Sequence, residues 1–187
     1  MTHTFRTSRP GSAADPSIPH LILVGLPGSG KTTVGQRVAE CTGRMFLDLD
    51  QEIERREGRS ISQIFGEKGE SYFRTKEREL TEELTLVGNM IVAPGGGWAA
   101  DPEVVSIVRP PSRLVYLVVT PKTALRRLGP TQTLRPLLTR PDPLAELNRI
   151  LETRKAAYES AEFVVSTELY DLKGVIEKVI ALASAVG

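Results

Sequence analysis

Gly25-Leu26-Pro27-Gly28-Ser29-Gly30-Lys31-Thr32 is the segment from which the fold and the chemistry of this chain are inferred. It has the pattern G-x-x-x-x-G-K-[ST], and the apolar run Leu-Ile-Leu-Val at 21–24 precedes it. Apolar residues then recur at helical spacing from Val34 onward. A strand, a glycine-rich loop and a helix in this order are typical of a phosphate-binding loop. The alternative is a glycine-rich turn that only connects a strand to a helix.

The loop residues predict how a nucleotide would be held. Glycines allow backbone N–H groups to approach an anion, and the N-terminus of the following helix adds a partial positive charge. Lys31 would reach the β- and γ-phosphates, and the Thr32 hydroxyl would take a place on Mg²⁺. The segment therefore predicts a nucleotide site with Mg²⁺ as its cofactor.

Composition narrows the class of protein. The 187 residues fit one domain, and 24 Lys and Arg against 23 Asp and Glu give a formal charge of +1. This balance predicts neither a nucleic-acid partner nor an anionic membrane surface. The single cysteine, Cys41, excludes an intramolecular disulfide and is expected to pack in the core. The sequence shows no long apolar run and no signal sequence, so we expect a cytoplasmic protein. We also expect a monomer.

The remaining pattern predicts an α/β fold. Short apolar runs at 21–24, 45–47, 90–93, 113–119 and 163–165 alternate with helical segments. Such alternation predicts a three-layer sandwich with a five-stranded parallel sheet. Residues 1–20 have almost nothing to bury and are expected to form a disordered tail. Residues 21–187 are expected to form one domain, with a mobile lid in the proline-rich segment at about 129–143.

Two carboxylates follow the second predicted strand. Asp48 and Asp50 occupy alternate positions, so an extended backbone would point both side chains towards the same cleft. One can hold Mg²⁺, directly or through water, while the other accepts the proton of an attacking hydroxyl. The alternative is that one of them caps the next helix.

Further charges and glycines are expected at the same edge of the sheet, where ligands bind in open α/β folds. Arg74 lies on a predicted amphipathic helix with Glu77 three residues later, and Arg154 lies on a later helix. The glycines at 95–97 would let backbone approach a ligand, and Arg135 could close over a phosphate from the lid. Surface arginines and a plain flexible turn are the alternatives.

Taken together, these segments resemble the motifs of the shikimate kinase family, from about Leu21 to the C-terminus. The matching segments are Gly25–Thr32 (the P-loop), Asp48-Leu49-Asp50 (D-x-D), Gly69-Glu70 with Phe73-Arg74 and Glu77 (G-E-x-x-F-R-x-x-E), Gly95–Gly97 (triple glycine), Arg135-Pro136-Leu137-Leu138 (R-P-L-L) and Arg154 with Tyr158 (R-x-x-x-Y). Six features in one order are far more specific than a P-loop alone.

The resemblance implies an ATP-dependent kinase that phosphorylates the 3-hydroxyl of shikimate on the route to aromatic amino acids. It implies a fold like that of nucleoside monophosphate kinases, and ATP and shikimate as the partners. Carried over by position, the implied site is Lys31, Asp50 and Arg135 for catalysis; Gly28, Ser29, Gly30, Lys31, Thr32, Thr33 and Arg135 for ATP; Asp50, Arg74, Gly95, Gly96, Gly97 and Arg154 for shikimate; and Thr32 with Asp48 for Mg²⁺.

The sequence departs from the family pattern at two places and leaves rivals open. Trp98 stands where a small residue usually follows the triple glycine, and it either walls the pocket or packs. Arg127 and Arg126 compete for an adenine-stacking role, and the segment at 166–168 is atypical. A kinase for another carboxylate such as gluconate is one rival. A module that senses a ligand without turnover is the other.

Overall fold

The computed structural model describes residues 18–129 and 142–185 of the chain. Strands and helices alternate through most of these residues. The elements are β1 Leu21–Val24, α1 Lys31–Thr42, β2 Met45–Asp48, α2 Leu49–Glu57, α3 Ile61–Leu84, β3 Met90–Ala93, a 3-10 turn Trp98–Ala100, α4 Pro102–Val108, β4 Arg113–Val118, α5 Pro121–Leu128, α6 Pro143–Glu159, β5 Phe163–Ser166 and α7 Leu172–Ala185.

The five strands form one parallel sheet in the order β2-β3-β1-β4-β5. This arrangement confirms the predicted α/β class. In the register, Val24 lies opposite Tyr116, and Asp48 lies opposite Ala93. The carboxyl ends of the first four strands therefore meet at one edge of the sheet, where ligands of such folds bind.

Helices cover both faces of the sheet because successive strand residues point to opposite sides. In β1, Leu21 and Leu23 pack in a core with α1 and α7, whereas Ile22 and Val24 pack in the other core. That second core includes α2, α3, α5 and α6. Both faces of every central strand are thus apolar, as is usual for parallel sheets.

Helix α3 is kinked in its first half, at Gly69. Ser60 begins it with a capping box, in which its hydroxyl and the side chain of Gln63 bond reciprocally to backbone N–H groups. Gly69 then adopts φ 81° and ψ 168°, outside the helical region. The second part, after this glycine, carries Arg74 and Glu77.

The predicted disordered tail extends too far along the chain. Although residues 1–17 lie outside the described part, His20 is buried, and its Nε2 lies 3.0 Å from the carbonyl oxygen of Leu84. Its Nδ1 accepts a hydrogen bond from the Met90 N–H at 3.3 Å, and burial lowers the pKa of the ring. The neutral imidazole therefore joins the chain before β1 to α3 and β3, so residues 18–20 belong to the folded domain.

One other sequence prediction is wrong, and one helix was missed. Cys41 is exposed, because the buried stripe of α1 consists of Val34, Gly35, Val38 and Ala39 and ends before the last turn. Helix α4 was not predicted, although Asp101 caps it and Pro102 stands in its first turn. The predicted lid falls almost wholly on residues 130–141, which lie outside the described residues. Within the described ranges, no helix is long and apolar enough to cross a membrane.

Candidate functional site: a phosphate loop beside a charged glycine turn

The P-loop connects β1 to α1 at the carboxyl edge of the sheet. Gly28 and Gly30 have φ angles of 81° and 98°, and Gly30 forms the N-terminal boundary of α1. A Cβ on Gly28 would lie 2.5 Å from the carbonyl oxygen of Ala124, so only glycine fits between the loop and α5. The N-terminus of α1, with its partial positive charge, thereby lies at the sheet edge.

Lys31 is folded over this loop. Its Nζ donates hydrogen bonds to the carbonyl oxygens of Gly25 at 2.9 Å and Leu26 at 3.1 Å. The ammonium group is thus held beside the residues that would surround an anion. Ser29 is fully buried, and its hydroxyl has no hydrogen-bond partner in the described structure. The Ser29 side chain is therefore withdrawn from solvent, as is that of Leu26 in the same loop.

Thr32 and Asp48 form an oxygen-rich pair next to the loop. The Thr32 hydroxyl donates to Oδ2 of Asp48 at 2.8 Å. Oδ1 of the same carboxylate accepts from the N–H of Gln51 at 3.2 Å, which caps α2. Asp48 therefore caps α2 and also faces Thr32, so its interpretation as a helix cap is compatible with its interpretation as a Mg²⁺ ligand. A hydroxyl and a carboxylate are the hard oxygen ligands that suit Mg²⁺, whose remaining positions are usually filled by water and phosphate.

Asp50 reaches the cleft by a different geometry from the predicted one. The strand ends at Asp48, and α2 begins at Leu49, so Asp50 lies in the first turn of a helix rather than on an extended segment. From there its carboxylate contacts the glycine turn: a Cβ on Gly95 would lie 2.5 Å from Oδ1 of Asp50. The predicted convergence of the two aspartates on one cleft holds, although the reason given for it does not.

The three glycines after β3 each face a charged side chain. While Asp50 lies against Gly95, a Cβ on Gly96 would lie 3.1 Å from Nη1 of Arg154. A Cβ on Gly97 would lie 2.5 Å from Nη2 of Arg74. The backbone of this turn is therefore flanked by one carboxylate and two guanidinium groups, an arrangement that a larger residue at either end would prevent.

Arg74 is oriented by two carboxylates of its own helix. Nη1 donates to Glu77 at 2.7 Å, and Nη2 donates to Glu70 at 2.9 Å. Glu77 is only 3% exposed, and its second oxygen has no hydrogen-bond partner in the described structure. Burial raises the pKa of Glu77 to about 7, with Asp50 adding to the rise and Arg74 opposing it. This carboxyl can therefore gain or lose a proton near neutral pH.

Tyr158 supports the glycine turn from α6. Its hydroxyl donates to the carbonyl oxygen of Gly96 at 2.9 Å, and its ring stacks on Tyr116 with 5.3 Å between the ring centroids. Arg154 lies one helical turn earlier on the same helix. The R-x-x-x-Y spacing of the sequence therefore places a cation and an anchor on one face of α6.

A cavity of about 160 Å³ joins the P-loop to the glycine turn. Its volume suits phosphate groups and a transferred phosphoryl group rather than a whole nucleotide. The residues around it are Gly28, Gly30, Lys31, Thr32, Thr33, Asp48, Asp50, Pro94, Gly95, Gly96 and Leu128.

A second cavity, of about 430 Å³, opens on the other side of the P-loop. Arg127 is beside it and donates to the hydroxyl and carbonyl oxygens of Thr167 at 2.8 and 2.6 Å. Tyr170 and Leu172 contribute apolar surface to the cavity. The sequence did not identify these two residues, because the segment after β5 has no recognisable motif. Of the two competing arginines, Arg127 is the one at this cavity.

The predicted site residue Arg135 and the undecided Trp98 are not among the described residues of the cleft. Arg135 lies outside the described residues. Trp98 does not wall the pocket: its side chain is 1% exposed and packs in the core with α3. The structure brings together the other predicted residues, from the P-loop to Arg74 and Arg154, at one edge of the sheet.

Comparison with known proteins gives a consistent result. The sequence model of the family described as shikimate kinase matches residues 27–183. A shikimate kinase from Persephonella marina is 40% identical over 149 residues, which are 80% of this chain and 89% of that protein. A bifunctional shikimate kinase/3-dehydroquinate synthase from Thermotoga maritima is 44% identical over 143 residues, and the match spans 76% of this chain but only 28% of that protein.

A solved structure has the same architecture. Shikimate kinase from Acinetobacter baumannii, in complex with shikimate, superposes with a TM-score of 0.84 at 34% sequence identity. The superposition covers 91% of this chain and 95% of that one. The likeness therefore extends over most of this chain and not over the P-loop alone.

Proposed function

Since the chain belongs to the shikimate kinase family, we propose that it transfers the γ-phosphoryl group of ATP to the 3-hydroxyl of shikimate, giving shikimate 3-phosphate and ADP. The observation that carries this proposal is the glycine turn, where Asp50, Arg154 and Arg74 lie against three consecutive glycines beside the P-loop cavity. As a kinase of this family, the protein acts in the biosynthesis of aromatic amino acids. A monomeric state and a cytoplasmic location stay predictions.

The glycine turn suits an acceptor that carries both a carboxylate and a hydroxyl. Arg74 and Arg154 supply two guanidinium groups, whose planar N–H donors match a carboxylate in pairs. Backbone N–H groups of Gly96 and Gly97 can add donors at short range, because no Cβ intervenes. The carboxylate of Asp50, at the other end of the turn, would then hold the acceptor hydroxyl and accept its proton as the phosphoryl group moves.

The nucleotide would lie across the P-loop. Its base would occupy the cavity beside Arg127 and Tyr170, and its phosphates would point through the loop towards Asp50. Lys31 would neutralise the β- and γ-phosphates. Thr32 and Asp48 would hold Mg²⁺, which supplies positive charge to the phosphates when bound. Arg135, from the predicted lid, would add charge at the γ-phosphate and exclude water.

Comparing two acceptors tests this proposal. With purified protein and Mg·ATP, we expect shikimate to give a much higher kcat/KM than gluconate, because the spacing between the arginines and Asp50 must match the acceptor. Equal or better turnover of gluconate would contradict the proposed substrate. Nucleotide binding without turnover of either acceptor would favour the sensing module instead.

Replacing Arg74 should damage acceptor binding and little else. Arg74→Ala removes one guanidinium from the acceptor carboxylate, so we expect the shikimate KM to rise about tenfold to a hundredfold, with kcat and the ATP KM nearly unchanged. Arg78→Ala is a matched control one turn along α3, where the side chain pairs with Glu82 and Glu103 on the surface. A normal shikimate KM in the Arg74 variant would show that Arg74 does not bind the acceptor carboxylate.

Binding of shikimate should take up protons near neutral pH. The pKa of Glu77 is about 7 in the free protein. A carboxylate bound to Arg74 adds negative charge nearby, so it raises that pKa further, and the complex holds more protons than the free protein. Affinity for shikimate should therefore increase as the pH falls through about 7.

Calorimetry in buffers of different ionisation enthalpy measures this proton uptake. Glu77→Gln should abolish it. Glu70→Gln, which removes the exposed partner of the same guanidinium, should retain it. Equal proton uptake in wild-type protein and Glu77→Gln would assign the linkage to another group.

A further inference from the structure

Trp98 is the only tryptophan in the chain, and it directly follows the glycine turn. Its indole N–H donates to the hydroxyl oxygen of Thr81 at 2.9 Å, and both side chains are almost completely buried. A buried indole N–H requires a hydrogen-bond partner, so this contact fixes the orientation of the ring. The residue after the turn is therefore attached to α3.

Thr81 continues the connection towards the acceptor site. Its hydroxyl donates to the carbonyl oxygen of Glu77 at 2.7 Å, so its proton is committed to α3 and its lone pair is directed at Trp98. Glu77, one helical turn earlier, accepts the hydrogen bond from Arg74. The same turn of helix thus holds both the tryptophan and the acceptor arginine.

These contacts close into a ring. Arg74 lies directly against Gly97, where a Cβ would be 2.5 Å from Nη2 and 2.8 Å from Nη1. Gly97 is bonded to Trp98, which returns to Thr81 on the helix. Two contacts therefore hold the Gly97 backbone in place relative to α3. Arg74 packs against Gly97 itself, and the next residue, Trp98, is hydrogen-bonded to Thr81.

We propose that Trp98 is a positioning residue for the acceptor carboxylate. Through Thr81 it holds the N–H groups of Gly96 and Gly97 at the distance from Arg74 at which both can bind the same carboxylate. The inference rests on the proposed function, because it assigns the carboxylate to this turn. Tyr158, which bonds to the carbonyl oxygen of Gly96, anchors the other side of the turn.

Two substitutions test the role of the hydrogen bond. Trp98→Phe keeps an aromatic ring in the core but removes the N–H, and Thr81→Val removes the acceptor. We expect each to raise the shikimate KM about tenfold, while kcat and the ATP KM stay within about twofold. Thr81→Ser, which keeps the hydroxyl, should retain the wild-type KM.

A matched control separates positioning from packing. Val179→Ala creates a cavity in the core on the other face of the sheet, so it should lower Tm and leave the shikimate KM unchanged. If Trp98→Phe behaves in the same way, with a lower Tm and a normal shikimate KM, Trp98 is only a core residue and the proposal is wrong. In the double variant Trp98→Phe/Thr81→Val, the KM should rise no further than in either single variant, because both remove one contact. A multiplicative rise would contradict the proposal.

A second measurement uses the wild-type protein, so it does not depend on whether a variant folds. Because Trp98 is the sole tryptophan and adjoins the turn, shikimate should change its fluorescence emission saturably; an emission spectrum that is unaffected at saturating shikimate would overturn the coupling. Failure of the proposed function is recognised separately, since wild-type protein would then not phosphorylate shikimate at all. Normal wild-type turnover with a normal KM in Trp98→Phe refutes only the positioning role.

Discussion

Lys31→Met is expected to reduce phosphoryl transfer by about a thousandfold or more. The Lys31 ammonium already lies at the P-loop, bonded to the carbonyl oxygens of Gly25 and Leu26. In transfer it would neutralise charge on the β- and γ-phosphates. Methionine is of similar length but cannot supply this charge, so the protein should fold and fail to turn over.

The measurement is kcat with saturating Mg·ATP and shikimate, accompanied by Tm. Lys155→Met is the matched control, since Lys155 is an exposed residue of α6 whose ammonium lies 3.8 Å from Glu159. It should keep the wild-type rate. A Lys31→Met variant with full activity would end the assignment of the P-loop to phosphate binding.

Asp50→Asn is expected to lower kcat by about a hundredfold to ten-thousandfold, with little change in nucleotide binding. The carboxylate lies against Gly95 at the junction of the acceptor turn and the P-loop cavity. Asparagine keeps the shape of the side chain but cannot accept the proton of the hydroxyl. The loss should therefore appear in the chemical step.

Single-turnover kinetics and calorimetric titration with ATP distinguish the two effects. Asp101→Asn is the matched control, because Asp101 caps α4 through the N–H groups of Glu103 and Val104, and asparagine caps a helix equally well. It should be active. A full transfer rate in Asp50→Asn, or a loss confined to ATP affinity, would remove Asp50 from the proton-accepting role.

Much of the fold could be predicted because local signals agreed with the final packing. The apolar run before Gly25 had to be buried on both sides, which placed it in a parallel sheet, and the helical apolar spacing from Val34 predicted the next layer. The carboxyl ends of the parallel strands then brought Asp48 and the glycine turn together. Helix α4 was not predicted, because its seven residues are too few to show a recognisable helical periodicity.

The finer geometry of the site depended on tertiary contacts that no local pattern encodes. Asp50 was expected on an extended segment, whereas α2 begins one residue earlier, at Leu49. Trp98 was expected either at the pocket wall or in the core. It lies in the core, where its indole N–H donates to Thr81, a residue distant in the sequence. His20 was placed in the tail because its partners, Leu84 and Met90, are more than sixty residues away.

The central claim is transfer to the 3-hydroxyl of shikimate, and ³¹P NMR of the reaction mixture tests it most directly. Purified protein with Mg·ATP and shikimate should give ADP and an equal amount of one new phosphomonoester, whose phosphorus couples to the proton on carbon 3 of shikimate. ADP with only inorganic phosphate, no reaction, or an ester at another hydroxyl would contradict the account.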